Sequence, residues 1–198
     1  MIISLEKQKK CDRYNLYLDG EFYSGIEPDS IVKYHLTNGL DVEKEKIDEI
    51  LLESESYYGF NKVLKYITKS MKTTGEIEDY LKKHSFNDIV INNILSKLNE
   101  YKYVNDELYC KSYIDFYKEK YGKNKIKQNL LLKKIDEEII NMYLNFDDEI
   151  SIENIKKEIA KQSKNKELDL KLKQKIIRNL ISKGYSYDLI KQAFNIGD

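Results

Sequence analysis

The stretch NKIKQNLLLKKIDEEIINMYL, residues 124–144, decides the fold because two other stretches of the chain repeat its pattern. GEIEDYLKKHSFNDIVINNIL (75–95) and QKIIRNLISKGYSYDLIKQAF (174–194) align with it without gaps, at offsets of 49 and 50 residues. Apolar residues recur at helical spacing in all three, which predicts a helix, a short turn and a second helix in each. The coinciding apolar positions are Ile77, Ile126 and Ile176; Leu81, Leu130 and Leu180; Phe86, Ile135 and Tyr185; and Ile91, Ile140 and Ile190.

A longer first helix precedes each aligned stretch, near residues 57–70, 107–121 and 151–163. The chain therefore predicts three tandem three-helix repeats of about fifty residues each. Because each repeat is too short for a large core, neighbouring repeats should stack, and we expect a mainly α-helical, elongated array. The predicted domains are residues 1–56, 57–105, 106–150 and 151–198.

Capping residues support these helices. Thr73-x-x-Glu76 is a capping box that opens the middle helix of the first repeat. Asp136 and Ser186 stand where the third helices of the next two repeats should begin. The glycines at 122 and 184 stand where helices should stop.

The N-terminal segment 1–56 has a different pattern. RYNLYLDGEFYSGI places Asp19-Gly20 between two stretches rich in Leu, Tyr and Phe, which predicts a β-hairpin. IISLEKQ, at the start, can add a third strand. After Pro28 we expect a helix with Gly39 just beyond its end, then a helix capped by Asp41 that Gly59 breaks or kinks.

Composition indicates a reducing cytosol and no membrane span. Apolar residues make up 41% of the chain, charged residues 34%, and no apolar run approaches the length of a spanning helix. MIISLEKQKK is charged too early for a signal peptide. Cys11 and Cys110 are far apart and form no CxxC motif, and Cys110 lies on an apolar face that predicts a core position. We therefore expect a cytoplasmic protein, and we expect it to be a monomer.

The net charge is zero, but the charges alternate in blocks. Residues 41–55 and 136–153 each contain seven acids, residues 118–134 contain seven lysines, and residues 156–183 contain ten bases. Such blocks are typical of solvated helix faces or of surfaces that guide a charged partner. The candidate contact residues for phosphates or an acidic protein surface are Lys72, Lys123, Lys125, Lys127, Lys134, Lys171, Lys175 and Arg178.

Within this set, Lys123, Lys127 and Lys134 are predicted to share one side of a helix, with Lys125 and Lys133 beside them. The tyrosines at 109, 113, 117 and 121 recur every four residues. That spacing favours a packing stripe with exposed hydroxyls, although exposed rings could also stack on bases or anchor a partner.

The sequence offers little that indicates catalysis. His35 and His84 have no companion ligands, and the phosphate-loop, HExxH and GxGxxG patterns are absent. In YVNDE, Asp106 has the sequence of a helix N-cap and has no partner acid or base nearby. We expect no enzyme and no cofactor; a metal enzyme that uses the acidic block 136–153 is the weaker alternative.

Three stretches together resemble the RecX family: YITKSMKTTGEIEDYLKKHSF, INNILSKLNEYKYVNDELYCKSYI and YGKNKIKQNLLLKKI. They share with it the order of a basic Ser/Thr segment, an acid-capped middle helix, an aromatic-Val-Asn-Asp junction, then Tyr-Gly and a basic helix. The resemblance covers roughly residues 57–194. Family members often carry arginines where this chain has lysines, and a glycine where Lys133-Lys134 stand.

The resemblance implies a non-enzymatic regulator in homologous recombination, DNA repair and the SOS response. Such proteins lie along the groove of the RecA–single-stranded-DNA filament and inhibit strand exchange and ATP hydrolysis. The implied partner is the RecA filament, with single-stranded DNA as a second candidate. The rival function is an autonomous helical DNA-binding module, because three-helix units can resemble helix-turn-helix folds.

Overall fold

The computed structural model describes residues 1–9, 12–163 and 168–194. Cys11 therefore lies outside the described residues. The chain divides into two compact units. The first unit combines residues 1–71 with 77–103, and the second combines residues 72–76 with the described residues from Val104 onward.

The first unit begins with the predicted sheet. Strands β1 (Ile3–Lys7), β2 (Tyr14–Leu18) and β3 (Glu21–Ile26) pair antiparallel in sequence order. Asp19 and Gly20 form the turn between β2 and β3 with φ angles of 49° and 87°. Both angles lie in the left-handed region that a two-residue hairpin turn requires, so the hairpin and its third strand are confirmed.

Two predictions in the next segment are wrong. Helix α1 (Pro28–Lys33) ends before Gly39, because His35 takes the left-handed conformation and the Leu36 amide bonds back to the Ile31 carbonyl. Asp41 caps no helix; its carboxylate accepts a hydrogen bond of 2.7 Å from the N-terminal amino group. The long helix α2 (Lys44–Ile67) begins instead after Glu43.

The predicted break at Gly59 is also wrong, because α2 runs through it without interruption. Gly59 is buried, and a Cβ placed on it would lie 2.5 Å from Ile94 Cδ1 and 3.0 Å from Phe86 Cε1. Because Gly59 has no side chain, α2 can pack closely against Phe86 and Ile94 of the first repeat. The inner face of the same helix covers the sheet, where Ile47 and Ile50 are buried.

Eight further helices follow in three sets, and they confirm the tandem three-helix repeats. The first repeat uses the end of α2 with α3 (Thr74–Lys83) and α4 (Asp88–Glu100). The second contains α5 (Asp106–Tyr117), α6 (Lys123–Leu132) and α7 (Glu137–Tyr143). The third contains α8 (Asp148–Ser163), α9 (Leu170–Ser182) and α10 (Tyr187–Ala193).

The three middle helices end in the same way, which explains why the sequence aligns without gaps. Ser85, Lys134 and Gly184 follow α3, α6 and α9 with φ angles of 62°, 58° and 85°. This left-handed residue closes the helix and turns the chain inward. The next residue in each repeat is a buried apolar or aromatic side chain: Phe86, Ile135 and Tyr185.

The second and third repeats each have a core of their own. Ile126, Leu130, Ile135 and Ile140 form the core of the second repeat together with Cys110, which confirms the predicted core position of this cysteine. Burial raises the pKa of its thiol. The corresponding core of the third repeat contains Ile155, Ile176, Leu180, Tyr185, Ile190 and Ala193.

Candidate interaction surface and the repeat junctions

Two of the candidate cations form ion pairs inside the second unit. The Lys123 ammonium lies 2.7 Å from the Asp148 carboxylate and 5.2 Å from the ring centre of Phe146. The Lys127 ammonium lies 2.6 Å from the Glu137 carboxylate. Residues of the acidic block 136–153 thus neutralise part of the charge of the basic helix α6.

Three other candidates hold positions near the junctions of the repeats. Lys134 lies beyond the end of α6 at Leu132, so it does not share a helix side with Lys123 and Lys127 as the spacing predicted. A Cβ on Gly75 would lie 2.3 Å from the Lys134 Cβ. Lys125 is half-buried. Lys72 is also half-buried, and its charge helps to lower the pKa of a nearby acid in the capping box described below.

The remaining candidates form one exposed group. Lys171, Lys175 and Arg178 lie on α9 at spacings of four and three residues, which places them on one side of that helix. Within residues 1–9, 12–163 and 168–194, none of them makes an ion pair. Of the eight candidate residues, the three on this face of α9 therefore present the most available positive charge.

The junction between the first and second repeats is centred on the capping box. The Thr73 amide donates to the Glu76 carboxylate at 3.2 Å, and the Glu76 amide donates to the Thr73 hydroxyl oxygen at 3.1 Å, which confirms the box. The Thr73 hydroxyl in turn donates to the Lys133 carbonyl at 2.6 Å. One threonine therefore caps the start of α3 and the end of α6 together.

Lys133 adds an ion pair to this junction that the sequence analysis did not predict. Its ammonium lies 2.7 Å from the Glu76 carboxylate and 5.5 Å from the ring centre of Tyr109. Burial acts to raise the pKa of Glu76, but the Lys133 ammonium and the Thr73 amide outweigh it and lower that pKa. Burial also opposes the charge on Lys133, yet the same pair leaves the pKa of Lys133 raised.

Asp106 has a different role from the one predicted. The N-cap of α5 is Asn105, whose side-chain oxygen accepts from the Leu108 amide at 2.8 Å. Asp106 is the first residue of the helix, and its carboxylate accepts from the Thr74 amide at 2.8 Å. The YVNDE segment thus contributes one capping residue and one junction residue.

The junction between the second and third repeats reproduces this arrangement with backbone groups. In the repeat alignment, Gly122 corresponds to Thr73 and Lys183 corresponds to Lys133. The Gly122 amide donates to the Lys183 carbonyl at 3.0 Å. The Asn124 amide donates to the Gly184 carbonyl at 3.2 Å. In both junctions the start of one middle helix therefore caps the end of the next middle helix, where carbonyls otherwise lack partners.

The tyrosine stripe is a packing ladder. The rings of Tyr109, Tyr113, Tyr117 and Tyr121 follow one another at centroid distances of 6.2, 4.4 and 5.6 Å, and all four pack against the core of the second repeat. Because the four rings contact one another and the core, the stripe is a packing feature, as its spacing favoured. Phe116, beside Tyr117, is 76% exposed.

The acidic block 136–153 is dispersed in the structure. Asp136 caps α7, whereas Glu137 and Asp148 pair with lysines. Among the described residues, no group of three His, Cys, Asp or Glu side chains could hold a metal ion. The ring of His84 packs on Tyr80 with 4.3 Å between centroids. In the described part of the chain, no helix has the length and apolar character needed to cross a membrane.

These features define a class of protein in which tandem three-helix repeats follow a three-stranded sheet and interlock through the ends of their middle helices. Four family descriptions match the chain in the same order. The regulatory protein RecX N-terminal domain matches residues 1–43. The first, second and third three-helix domains of RecX match residues 60–98, 105–144 and 148–194.

Known proteins match nearly the whole chain. It is 32% identical to the regulatory protein RecX of Bacillus subtilis, over 98% of this chain and 76% of that protein. It is 33% identical to the regulatory protein RecX of Listeria monocytogenes, over 94% of this chain and 71% of that protein. The chain belongs to the RecX family of regulatory proteins, as the sequence resemblance indicated.

Solved structures have the same fold. A crystal structure of regulatory protein RecX is 26% identical, has a TM-score of 0.71 and is matched over 98% of both chains. The crystal structure of RecX from Lactobacillus salivarius is 27% identical with a TM-score of 0.65, over 71% of this chain and 95% of that chain.

Proposed function

We propose that this protein binds the RecA–single-stranded-DNA filament as a cytoplasmic monomer and inhibits its recombinase and ATPase activities. The observation that carries the proposal is the match to regulatory RecX proteins along 98% of the chain. Three repeats, with boundaries at 57–105, 106–150 and 151–198, would each contribute weak contacts to the filament. Linked contacts add through effective concentration, so none of them needs to be strong alone.

The exposed face of α9 is the part of the candidate surface that we assign to the first contact. Lys171, Lys175 and Arg178 are exposed and make no ion pair among the described residues, whereas Lys123 and Lys127 are paired internally. An unpaired surface cation gives up no internal partner when it meets an acidic surface. Long-range attraction by such groups raises the association rate more than the final affinity.

The test is the ATPase activity of RecA on single-stranded DNA, measured with increasing amounts of this protein. We expect inhibition by the wild-type chain and about tenfold weaker inhibition when Lys171, Lys175 and Arg178 are all changed to Glu, since each lost surface contact is worth about 0.5 kcal/mol. A matched control reverses the exposed lysines Lys65, Lys69 and Lys102 instead. Wild-type protein in micromolar excess that leaves the ATPase rate unchanged would refute the proposal.

The rival function is autonomous DNA binding, and the same α9 cations favour it because phosphates also attract unpaired lysines. Fluorescence anisotropy with labelled single-stranded DNA and no RecA separates the two. Three phosphate contacts would give a slope of about −2 for the logarithm of affinity against the logarithm of salt. Tight binding with that slope would replace the filament proposal with the DNA-binding one.

A further inference from the structure

A small cavity opens at the junction between the second and third repeats. Its volume is about 230 Å³, and its wall combines the start of α6 with α8 and with the turn after α9. Gly122, Lys123 and Asn124 line it from α6, and Asp148 and Ser151 line it from α8. The cavity lies wholly inside the second unit, so its geometry does not depend on how the two units are arranged.

The start of α6 lacks the negative charge that usually accompanies a helix N-terminus. Its N-cap is Gly122, which has no side chain to cap the helix, and its first turn contains no acid. The first turn of α3, by contrast, contains Glu76. The Gly122 and Asn124 amides bond across the junction, but the Lys123 amide has no acceptor among the described residues. The positive end of the α6 dipole therefore faces this cavity with a spare donor.

A second, independent feature of the cavity is a buried hydroxyl. Ser151 lines the cavity and is 1% exposed, and its Oγ has no hydrogen-bond partner in the described part of the chain. Buried hydroxyls without a partner are rare, because each loses its bonds to water without replacement. Ser151 neither caps α8 nor forms a hydrogen bond between the repeats. No role in the fold therefore explains why its hydroxyl is buried without a partner.

We propose that this cavity binds a carboxylate group, held by the Lys123 amide and ammonium and by the Ser151 hydroxyl. A helix N-terminus and a lysine favour an anion, and the serine adds a donor. The carboxylate of Asp148 limits the charge that the site accepts, because it lies 2.7 Å from the Lys123 ammonium and would repel a dianion such as phosphate. A monoanionic carboxylate therefore suits the charge of the site better than a dianion does, and the cavity has room for it. An acidic side chain of a partner protein would supply such a group.

The test is a ¹H–¹⁵N correlation titration of the full chain with acetate and, separately, with inorganic phosphate at constant ionic strength. We expect saturable shifts of the Lys123 amide and of its neighbours on α8 with acetate, and weaker binding of phosphate. Ser151→Ala should weaken acetate binding about tenfold, because a hydrogen bond to a charged group is lost. The change removes an unpartnered buried donor, so the fold should remain intact.

Controls separate the site from general charge effects. Ser112→Ala removes an exposed hydroxyl on α5, and Lys175→Met removes an exposed charge on α9; neither should change acetate binding. Shifts that rise linearly without saturation would overturn the proposal, as would equal binding by the Ser151→Ala variant. Tighter binding of phosphate than of acetate would also overturn it. The titration contains no RecA, so its result is independent of the proposed function.

Discussion

The close approach of Gly122 to Gly184 makes alanine at either position a direct test of the junction between the second and third repeats. A Cβ on Gly122 would lie 2.3 Å from the Gly184 carbonyl oxygen and 2.5 Å from the Tyr185 nitrogen. Both are backbone atoms that cannot rotate away. The overlap is relieved only if α6 moves from the end of α9, which breaks the hydrogen bonds that the Gly122 and Asn124 amides donate there.

The magnitude follows from these two effects. Two lost backbone hydrogen bonds cost about 2 kcal/mol, and overpacking adds about 1–2 kcal/mol. We therefore expect Gly122→Ala to lower the free energy of unfolding of the second unit by about 3–4 kcal/mol. Gly184→Ala adds a conformational cost of about 1 kcal/mol, because its φ of +85° is unfavourable for alanine.

Gly20→Ala is the matched control. Gly20 has a φ of +87°, but apart from its chain neighbours no atom of the described residues lies within 4 Å of an added Cβ, so only the conformational cost of about 1 kcal/mol applies. The measurement is urea unfolding followed by circular dichroism, with hydrogen exchange of the α6 and α9 amides as a local readout. The reasoning is refuted if Gly122→Ala costs no more than Gly20→Ala, or if exchange at α6 and α9 is unchanged.

Three further predictions concern single side chains. Glu76→Gln should destabilise the second unit by about 1–2 kcal/mol above pH 5. The pKa of Glu76 is lowered in the fold, so the stabilisation by its carboxylate is lost as the pH falls below about 4.5. In urea unfolding, the free energies of unfolding of the variant and the wild type should converge at that low pH. Burial, with the nearby Glu158 carboxylate, raises the pKa of Tyr185 to about 12, so stability should fall between pH 10 and 12. Tyr185→Phe should flatten that fall in an alkaline unfolding series. Ser85→Gly should raise the midpoint of thermal unfolding, with a gain of about 0.5–1 kcal/mol, because Ser85 has a φ of 62°. Ser85→Ala, which cannot relieve that conformation, should give no gain.

The repeats could be predicted from the sequence because their signal is local. The position after each left-handed residue is filled by Phe86, Ile135 or Tyr185, and each is buried in its own repeat. A periodic pattern of apolar residues records such burial directly. The hairpin was predictable for the same reason, since Asp19-Gly20 supplies two positive φ angles within the turn itself.

The errors arose where a residue has a distant partner. Gly59 resembled a helix break, yet the helix continues because Ile94 and Phe86 pack against the glycine. Asp106 resembled an N-cap, yet its carboxylate bonds to the Thr74 amide, 32 residues earlier in the chain. Both residues were placed by contacts with a different helix, and the spacing of residues along one helix contains no information about such contacts.

The charged blocks of the candidate surface also have distant partners that the sequence did not predict. Residues 118–134, with seven lysines and one acid, form the most uniformly basic stretch by sequence. In the fold, Glu137 and Asp148 of the following acidic block lie within 2.7 Å of two of these lysines. Blocks of opposite sign that are adjacent in sequence thus neutralise each other in part once the chain folds. On α9, by contrast, Lys171, Lys175 and Arg178 make no ion pair with any described residue, so their charges are not neutralised in this way.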